Sequence, residues 1–584
     1  MSNVRIAEVF DELATLLELA GDDAHRTRAY RRFAETARSL DEPIEQLVAR
    51  GELGALTGVG DAIEAAVVEL LERGSLRQLS TARSALPPGL PRLLSVPGLG
   101  ATRVRKLWTT ASVASLSDLV AACDDGRVAK IGGFGPKLAA KVGEAARAML
   151  AVEGSVVLAA AQELARHLAE HFADAGARRM RIAGETRRGH EIVAELCVLV
   201  EGLGPAEIAR VLASPELGPR HVSIEGPETV VATPAQPGRA AKVRAIAVHG
   251  GQMVESLLRE TGSAAHVAAL ETLAASRGTS LGALASTADD EQAVYAALGI
   301  AFVPPELRDE ASSEVPSTLL PARSLSGVFH VHTSWSDGTA SIAAMARAAH
   351  EAGFGFVGIS DHSQAAHYAG GLDRGRLLAQ REEIARARRE VPQIEILHGI
   401  EVDVLEDGRL DLDDDTLLTL DFVVASVHSH LGLAEEAQTA RIVRAVSHPL
   451  VTILGHPTGR LLLGRPGYKF DLDVVARTAA AHGVALEINA SPQRLDLGPE
   501  LIRRAAAHGA QFCINPDAHE PRGFGDVPLG VIQARRAGLP TERVLNAMPR
   551  PALLAHLRDR RADAARALGR SIDPPAATSA EATA

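Results

Sequence analysis

Short apolar runs alternate with Ala/Arg-rich stretches through the C-terminal part of this chain, and that alternation limits its possible folds most. The runs are GFVGIS, IEILHGIEV, FVVASV, VTILGH and VALEINA. Continuous apolar runs of strand length with helices between them predict parallel strands buried on both faces, in a sheet or closed barrel. Most of the runs end on a histidine or a carboxylate. FHVHTSWSDG supplies His330, His332 and Asp337, ISDHS supplies Asp361 and His362, and GIEVD supplies Glu401. ASVHSH supplies His428 and His430, LGHPTG supplies His456, and NPDAH supplies Asp517 and His519. In a parallel barrel the C-terminal strand ends converge on one face, where active sites gather. On a strand, His330 and His332 would face the same way, roughly 6.6–7 Å apart along it, within reach of one metal cluster. Isolated histidines such as His367 and His482 are expected to be structural. A recurring placement at successive strand ends is not chance. Histidines and carboxylates without thiolates suit manganese, zinc or iron better than calcium.

At 584 residues the chain exceeds one hydrophobic core. A net charge of −12 argues against simple coating of nucleic acid, while acids and bases nearly cancel over residues 1–150. Cys123, Cys197 and Cys513 form no CxxC pair, which fits a reducing cytoplasm rather than a disulfide framework. The charged, amphipathic N-terminus is not a signal peptide, and no apolar run nears the roughly 18 residues that span a bilayer. A cytoplasmic, monomeric protein without a membrane partner is expected.

A second pattern recurs in the first 150 residues. LTGVGDAIEAAVVELLERG, SVPGLGATRVRKLW and IGGFGPKLAAKVGEAAR each carry a hydrophobic residue, a Gly-hydrophobic-Gly turn and an amphipathic helix. The glycines, Gly58 and Gly60, Gly98 and Gly100, Gly133 and Gly135, permit a tight turn and close approach of another backbone. Turn amides and the helix N-terminus then face outward towards an anion. Three helix-hairpin-helix elements of this kind make a sequence-independent grip on a DNA backbone. Arg103, Arg105, Lys106, Lys137 and Lys141 suit phosphate contact.

Three hairpins followed by AGETRRGHEIVAELCVLV (Ala183–Val200) resemble a bacterial family X DNA polymerase. That family's palm reads roughly A-G-S-x-R-R-G-x-E-x-x-G-D-I-D-x-L-V. Arg187, Arg188, Gly189 and Glu191 match it, whereas Glu185 stands at the serine and Glu195 and Cys197 at the two aspartates. KVRAIAV resembles the strand with the third aspartate, which falls on Arg244. ETGSAAH keeps Thr261, Gly262, Ser263 and His266. The resemblance implies a vestigial nucleotide site at Gly184, Arg187, Arg188 and Gly262. Nucleotidyl transfer needs carboxylates that hold two metal ions. Cys197 is no hard oxygen ligand and Arg244 is a cation, so a catalytically silent palm is expected.

The C-terminal run resembles the polymerase-and-histidinol-phosphatase (PHP) domain, a distorted seven-stranded β/α barrel. The resemblance implies nine ligands for a three-metal phosphoesterase site: His330, His332, Asp337, His362, Glu401, His428, His456, Asp517 and His519. Asp361, beside His362, is expected to orient that ligand or relay protons, and Arg494 either to meet a substrate phosphate or to serve a structural role.

The fold class expected is therefore multidomain: an all-α helix-hairpin-helix region, an α/β nucleotidyltransferase-like palm and a distorted (β/α)7 PHP barrel. The divisions expected are 1–84 (first hairpin), 85–152 (fingers-like hairpins), 153–310 (degenerate palm and thumb), 311–325 (linker), 326–565 (barrel) and 566–584 (disordered tail). The function implied is 3′–5′ exonuclease or 3′-end processing of gapped or 3′-ended duplex DNA in repair. Alternatives are a histidinol-phosphatase-like small-molecule phosphatase and a non-catalytic DNA-end-binding scaffold.

Overall fold

A computed structural model describes residues 3–40, 42–56, 59–235, 241–311 and 315–570. The chain divides into two compact units, Met1–Glu153 and Gly154–Ala584.

The first unit is helical. In the helix Asn3–Ala20, Ile6, Phe10, Leu13 and Leu17 recur at three- and four-residue spacing, so one face is apolar and buried. It stops at Gly21 (φ +79°), where the Asp22 N–H donates to the Leu17 carbonyl (2.9 Å). Asp23 then caps Ala24–Ser39 by accepting the His25 N–H at 2.9 Å. Phe10, Phe33, Leu70, Leu90, Leu107 and Val142 share one core. That core runs across the division expected at residue 84. The Pro-rich run there contributes a 3-10 turn, Leu90–Ser95, whose Leu90 and Leu93 are fully buried.

The second unit begins with a mixed five-stranded sheet. Its strands are β1 (Arg179–Ala183), β2 (Glu195–Glu201), β3 (Arg220–Ile224), β4 (Thr229–Pro234) and β5 (Lys242–Val248), in the order β1-β2-β5-β4-β3. β2 and β5 are parallel, with Cys197 opposite Arg244, and the other neighbours are antiparallel. The helices Met253–Thr261, Ala264–Ser276, Leu281–Ser286 and Glu291–Ala297 follow around Leu258, Leu270, Val294 and Tyr295.

Seven parallel strands then form the barrel in sequence order: β6 (Gly327–Val328), β7 (Phe356–Ile359), β8 (Glu395–Asp403), β9 (Phe422–Ser426), β10 (Ile453–Leu454), β11 (Ala485–Asn489) and β12 (Gln511–Asn515). Beyond β6 and β12 a parallel bridge, Val331 to Ala518, brings the ring round. There the His332 N–H donates to the Ala518 carbonyl at 2.9 Å. Phe329, Phe356 and Phe422 fill the lower interior with Leu397 and Cys513, and Leu553 and Leu557 of the helix Arg550–Ala567 close it from below. Gly358 and Gly399 make room for Phe422: a Cβ at either position would sit 2.6 or 2.3 Å from its Cζ. With the bottom packed, the C-terminal strand ends are left for polar side chains.

Two expected segments differ. The linker expected at 311–325 is partly barrel structure. Leu320 is fully buried in the barrel core and its N–H donates to the Leu539 carbonyl at 3.1 Å, because an apolar Leu319–Leu320 pair sits inside the Pro- and Ser-rich run. The helix Arg550–Ala567 crosses the tail boundary expected at 566, with Leu568 packed on the core, and the rest of that tail, 571–584, lies outside the described residues.

Candidate metal centre, palm and hairpins

His330 and His332 come just after β6 rather than within it, because pairing along that strand ends at Val328. Asp361 and His362 follow β7, His428 follows β9, His456 follows β10, and Asp517 and His519 follow β12, while Glu401 projects from within β8. Four overlapping groups of side chains result, each with its ligand atoms within 4.8 Å of one another. They are His332–Asp337–His362–His519, His330–His332–Asp517, His330–Glu401–His456 and His362–Glu401–His428. Together they bring in all nine residues expected as ligands, and among the described residues no such group lies elsewhere. His430 is not in them: its side chain is 51% exposed and turned to Glu406.

Glu401 is the hub. Its Oε1 lies 3.0 Å from His456 Nε2 and 3.2 Å from His330 Nε2, and its Oε2 lies 2.9 Å from His362 Nδ1. Asp517 Oδ1 is 3.2 Å from His332 Nε2. Several of these close contacts are not directed as hydrogen bonds: His330 Nε2, both ring nitrogens of His332, His362 Nδ1 and Glu401 Oε2 complete none despite the carboxylates and imidazoles beside them. Buried polar atoms without partners are costly, and a cluster of lone pairs turned inward fits divalent cations. His456 (φ 22°) and Asp517 (φ 54°) adopt backbone conformations that L residues rarely take, the kind of strain that collects at functional sites.

The charges follow from this packing. Burial opposes a charge on His330, but Glu487, Glu401 and Asp517 hold its imidazole well above the usual range. His428 is likewise pushed up to about 10 against burial by Glu401 and Asp403, and His519 to about 9, chiefly by Asp337. Burial and the neighbouring His362 bring His332 down to about 4. Protons thus balance the carboxylates where cations would otherwise do so, and metal binding displaces such protons.

Two carboxylates absent from the sequence expectation orient the histidines. Glu487, fully buried within β11, accepts from His330 Nδ1 (2.8 Å), the His456 N–H (2.6 Å), Asn489 Nδ2 (3.1 Å) and Asn515 Nδ2 (3.0 Å). Asp403 Oδ1 accepts from His428 Nδ1 at 3.2 Å. Each such bond directs the other ring nitrogen to the centre. A carboxylate inside the apolar run VALEINA was the available signal for Glu487.

Asp361 behaves differently from expectation. It is fully buried and accepts from the Thr333 N–H and hydroxyl (both 2.7 Å), the Ser336 hydroxyl (2.6 Å) and Gln380 Nε2 (2.6 Å). Adjacent side chains on an extended segment point to opposite sides, so Asp361 turns from His362 and ties down the loop that carries Asp337. Arg494 stands at the rim, its Nε 3.5 Å from Asp517 Oδ2. Tyr368, 75% exposed with its ring 6.2 Å from that of His362, also borders the site and had no signal in the sequence.

In the palm a guanidinium occupies the expected carboxylate site. Arg244 is ion-paired to Glu195 (2.6 Å) and Glu260 (2.9 Å), and Lys242 adds a second cation to Glu195 (2.8 Å). Burial pushes the Cys197 thiol up to about 12, so it stays protonated, and its Cβ lies only 3.1 Å from where a Gly184 Cβ would be. Arg187 is paired with Glu291 and donates to Thr261 Oγ1 (2.8 Å). Arg188 donates to Asp309 and to the Thr261 carbonyl (both 2.7 Å), next to Gly262.

In the hairpin unit Gly60 and Gly100 precede the helices Asp61–Arg73 and Ala101–Ala111, and Gly135 opens Gly135–Ala151. Gly98 (φ +90°) and Gly133 (φ +93°) take matching conformations that favour glycine. Gly58 lies outside the described residues. Arg103 donates to the Gly98 carbonyl (2.8 Å) and Lys106 to the Gly132 carbonyl (2.5 Å), so both brace the turns; Lys137 is exposed.

Residues 1–76 match the family model of a helix-hairpin-helix domain, 90–148 a SAM-like helix-hairpin-helix tandem, and 329–491 the PHP domain. The chain is 32% identical over 562 residues, 93% of its length and 97% of the relative's, to the DNA polymerase/3′-5′ exonuclease PolX of Bacillus subtilis (strain 168). It is 30% identical over 234 residues, 37% of its length and 88% of the relative's, to a probable phosphatase of Thermoanaerobacter sp. (strain X514). A probable phosphatase of Shewanella halifaxensis is 33% identical over 178 residues, 29% of this chain and 69% of the relative.

Proposed function

The chain belongs to the bacterial family X DNA polymerases that carry a C-terminal PHP domain, and from that premise we propose that its barrel hydrolyses phosphodiester bonds at DNA 3′ ends while its palm is catalytically silent. The observation that carries this reading is the cluster of nine side chains at one end of the barrel, with buried ring nitrogens that converge on carboxylates without completing hydrogen bonds to them. The nine side chains would hold divalent ions, manganese or zinc with iron as a further candidate and three as the proposed number, and such ions would supply a water of lowered pKa and polarisation of phosphoryl oxygens. The protein's own part is orientation. Glu487 and Asp403 fix the His330 and His428 rings, Asp361 secures the Asp337 loop, and Arg494 at the rim is suited to a substrate phosphate. The hairpin turns grip the DNA backbone without reading sequence.

The silent palm rests on Arg244. A guanidinium stands at the third carboxylate position and, paired with Glu195 and Glu260, neutralises the one carboxylate left of the three that two ions would need. 3′-end processing in repair, on gapped or 3′-ended duplex, is the role we assign to the barrel.

A second reading, a small-molecule phosphatase, draws on the probable phosphatases that match the barrel region alone. Manganese-loaded protein offered a labelled 3′-recessed duplex and histidinol phosphate separates the two. Release of nucleotides from the duplex is expected; turnover of histidinol phosphate alone would replace our reading with the second. Magnesium-dependent primer extension by the full chain, lost in Arg187→Ala, would refute the silent palm.

A further inference from the structure

Arg460 lies four residues beyond His456, on the loop that leaves β10. It is largely enclosed, and its Nε–H donates to the Arg494 carbonyl at 2.9 Å. Its Nη2 reaches both the Leu495 carbonyl and the carboxylate of Glu191. Glu191 belongs to the palm, in the run RRGHE, and its carbonyl is fixed by the Leu158 N–H at 3.0 Å. The seam is tight. A Cβ at Gly498 would lie 2.5 Å from Glu191 Oε1 and 2.9 Å from Arg460 Nη1. The two carbonyls that Arg460 holds belong to the turn that carries Arg494, whose guanidinium faces Asp517. Leu495 in that turn has φ 42°, a conformation that an L residue keeps only when its surroundings impose it.

We propose that Glu191 of the palm is a positioning residue for the barrel: through Arg460 it fixes the turn that aims the Arg494 guanidinium at a substrate phosphate. The inference rests on the phosphoesterase reading of the barrel. Without Glu191, Arg460 keeps two carbonyl acceptors and the more distant charge of Asp496, and the strained turn loses one of its ties. A bidentate contact to phosphate depends on the direction of the guanidinium, so a small rotation of the turn costs affinity. The palm then contributes to hydrolysis without any metal chemistry of its own.

The test uses the full chain loaded with manganese, bis(p-nitrophenyl) phosphate as a small diester that needs no hairpin, and inorganic phosphate titrated by calorimetry. Glu191→Gln is expected to weaken phosphate binding about tenfold and to raise KM more than it lowers kcat. Arg494→Met gives the same loss, and adding Glu191→Gln to Arg494→Met changes nothing further. Gly498→Ala, which pushes the pair apart with both charges intact, weakens phosphate binding as well and stands in should Glu191→Gln fold poorly. Wild-type phosphate affinity in folded Glu191→Gln and Gly498→Ala overturns the proposal, as does an undiminished effect of Glu191→Gln in the Arg494→Met background. Wild-type protein that hydrolyses no diester yet shows this pattern of phosphate binding refutes the phosphoesterase reading and upholds the role of Glu191.

Discussion

Replacing Glu487 by glutamine changes one atom in the barrel and breaks the logic of its histidines. Glu487 Oε1 receives His330 Nδ1 and Asn515 Nδ2, and Oε2 receives the His456 N–H and Asn489 Nδ2, all between 2.6 and 3.1 Å. A glutamine has one acceptor and one donor end, so in either orientation its NH2 meets two donors. Each buried donor left without a partner costs about 1–3 kcal/mol, and the asparagines can rotate to relieve part of this, so a loss on the order of 3 kcal/mol in stability is expected. With the NH2 towards His330 the ring loses the acceptor that keeps its Nε2 lone pair on the centre, and with the NH2 towards His456 the backbone of that ligand loses its tie; such losses lower metal affinity by about 10- to 100-fold. Competition with a chelator, followed by metal analysis and urea unfolding of the same samples, measures both effects. A folded Glu487→Gln variant with unchanged metal affinity would refute the claim that this carboxylate orients the site.

Three further outcomes follow from geometry. Gly98→Ala with Gly133→Ala places side chains at φ near +90° in two hairpin turns, at about 1–3 kcal/mol of strain each. DNA affinity should fall in a gel-shift titration while hydrolysis of a small diester persists; unchanged DNA affinity counts against the hairpins as the grip. Gly399→Ala drives a Cβ to 2.3 Å from Phe422, and such overpacking should cost about 1–3 kcal/mol in thermal denaturation. Burial pushes the Asp526 carboxyl up to about 6, with Arg522 opposing and Glu520 adding. Its folded pKa exceeds the unfolded value, so wild type loses stability from this group as pH rises from about 4 to 6. Asp526→Asn should therefore leave Tm unchanged at pH 4 and raise it at pH 7.5. An equal shift at both pH values would show the carboxyl charge to be irrelevant.

Much of the site was legible because metal chemistry restricts residue type. HxH, GHPTG and DAH must follow strands for their side chains to meet, and their four histidines and one aspartate meet Asp337, His362, Glu401 and His428. The barrel was readable from the strand-length apolar runs between helices. Adjacency in sequence misled at Asp361, since neighbours on an extended segment face opposite ways. Glu487 escaped notice because it sits within a strand, where its partners come from the segments just after β6 and β10 and from β12. Composition hid Leu320, one apolar residue pair in a Pro- and Ser-rich run whose burial depends on Leu539 far along the chain. In the palm, the charge reversal at Arg244 was visible, but its second partner, Glu260, comes from a helix that only the fold brings near.

Metal content and nuclease activity measured together on wild type and Asp517→Ala test the central claim most directly. Wild type should carry divalent ions and remove nucleotides from a labelled 3′-recessed duplex. Asp517→Ala, folded and still bound to DNA, should lose ions and activity in step. Activity that survives in Asp517→Ala, or wild-type hydrolysis with no metal bound, would contradict the account.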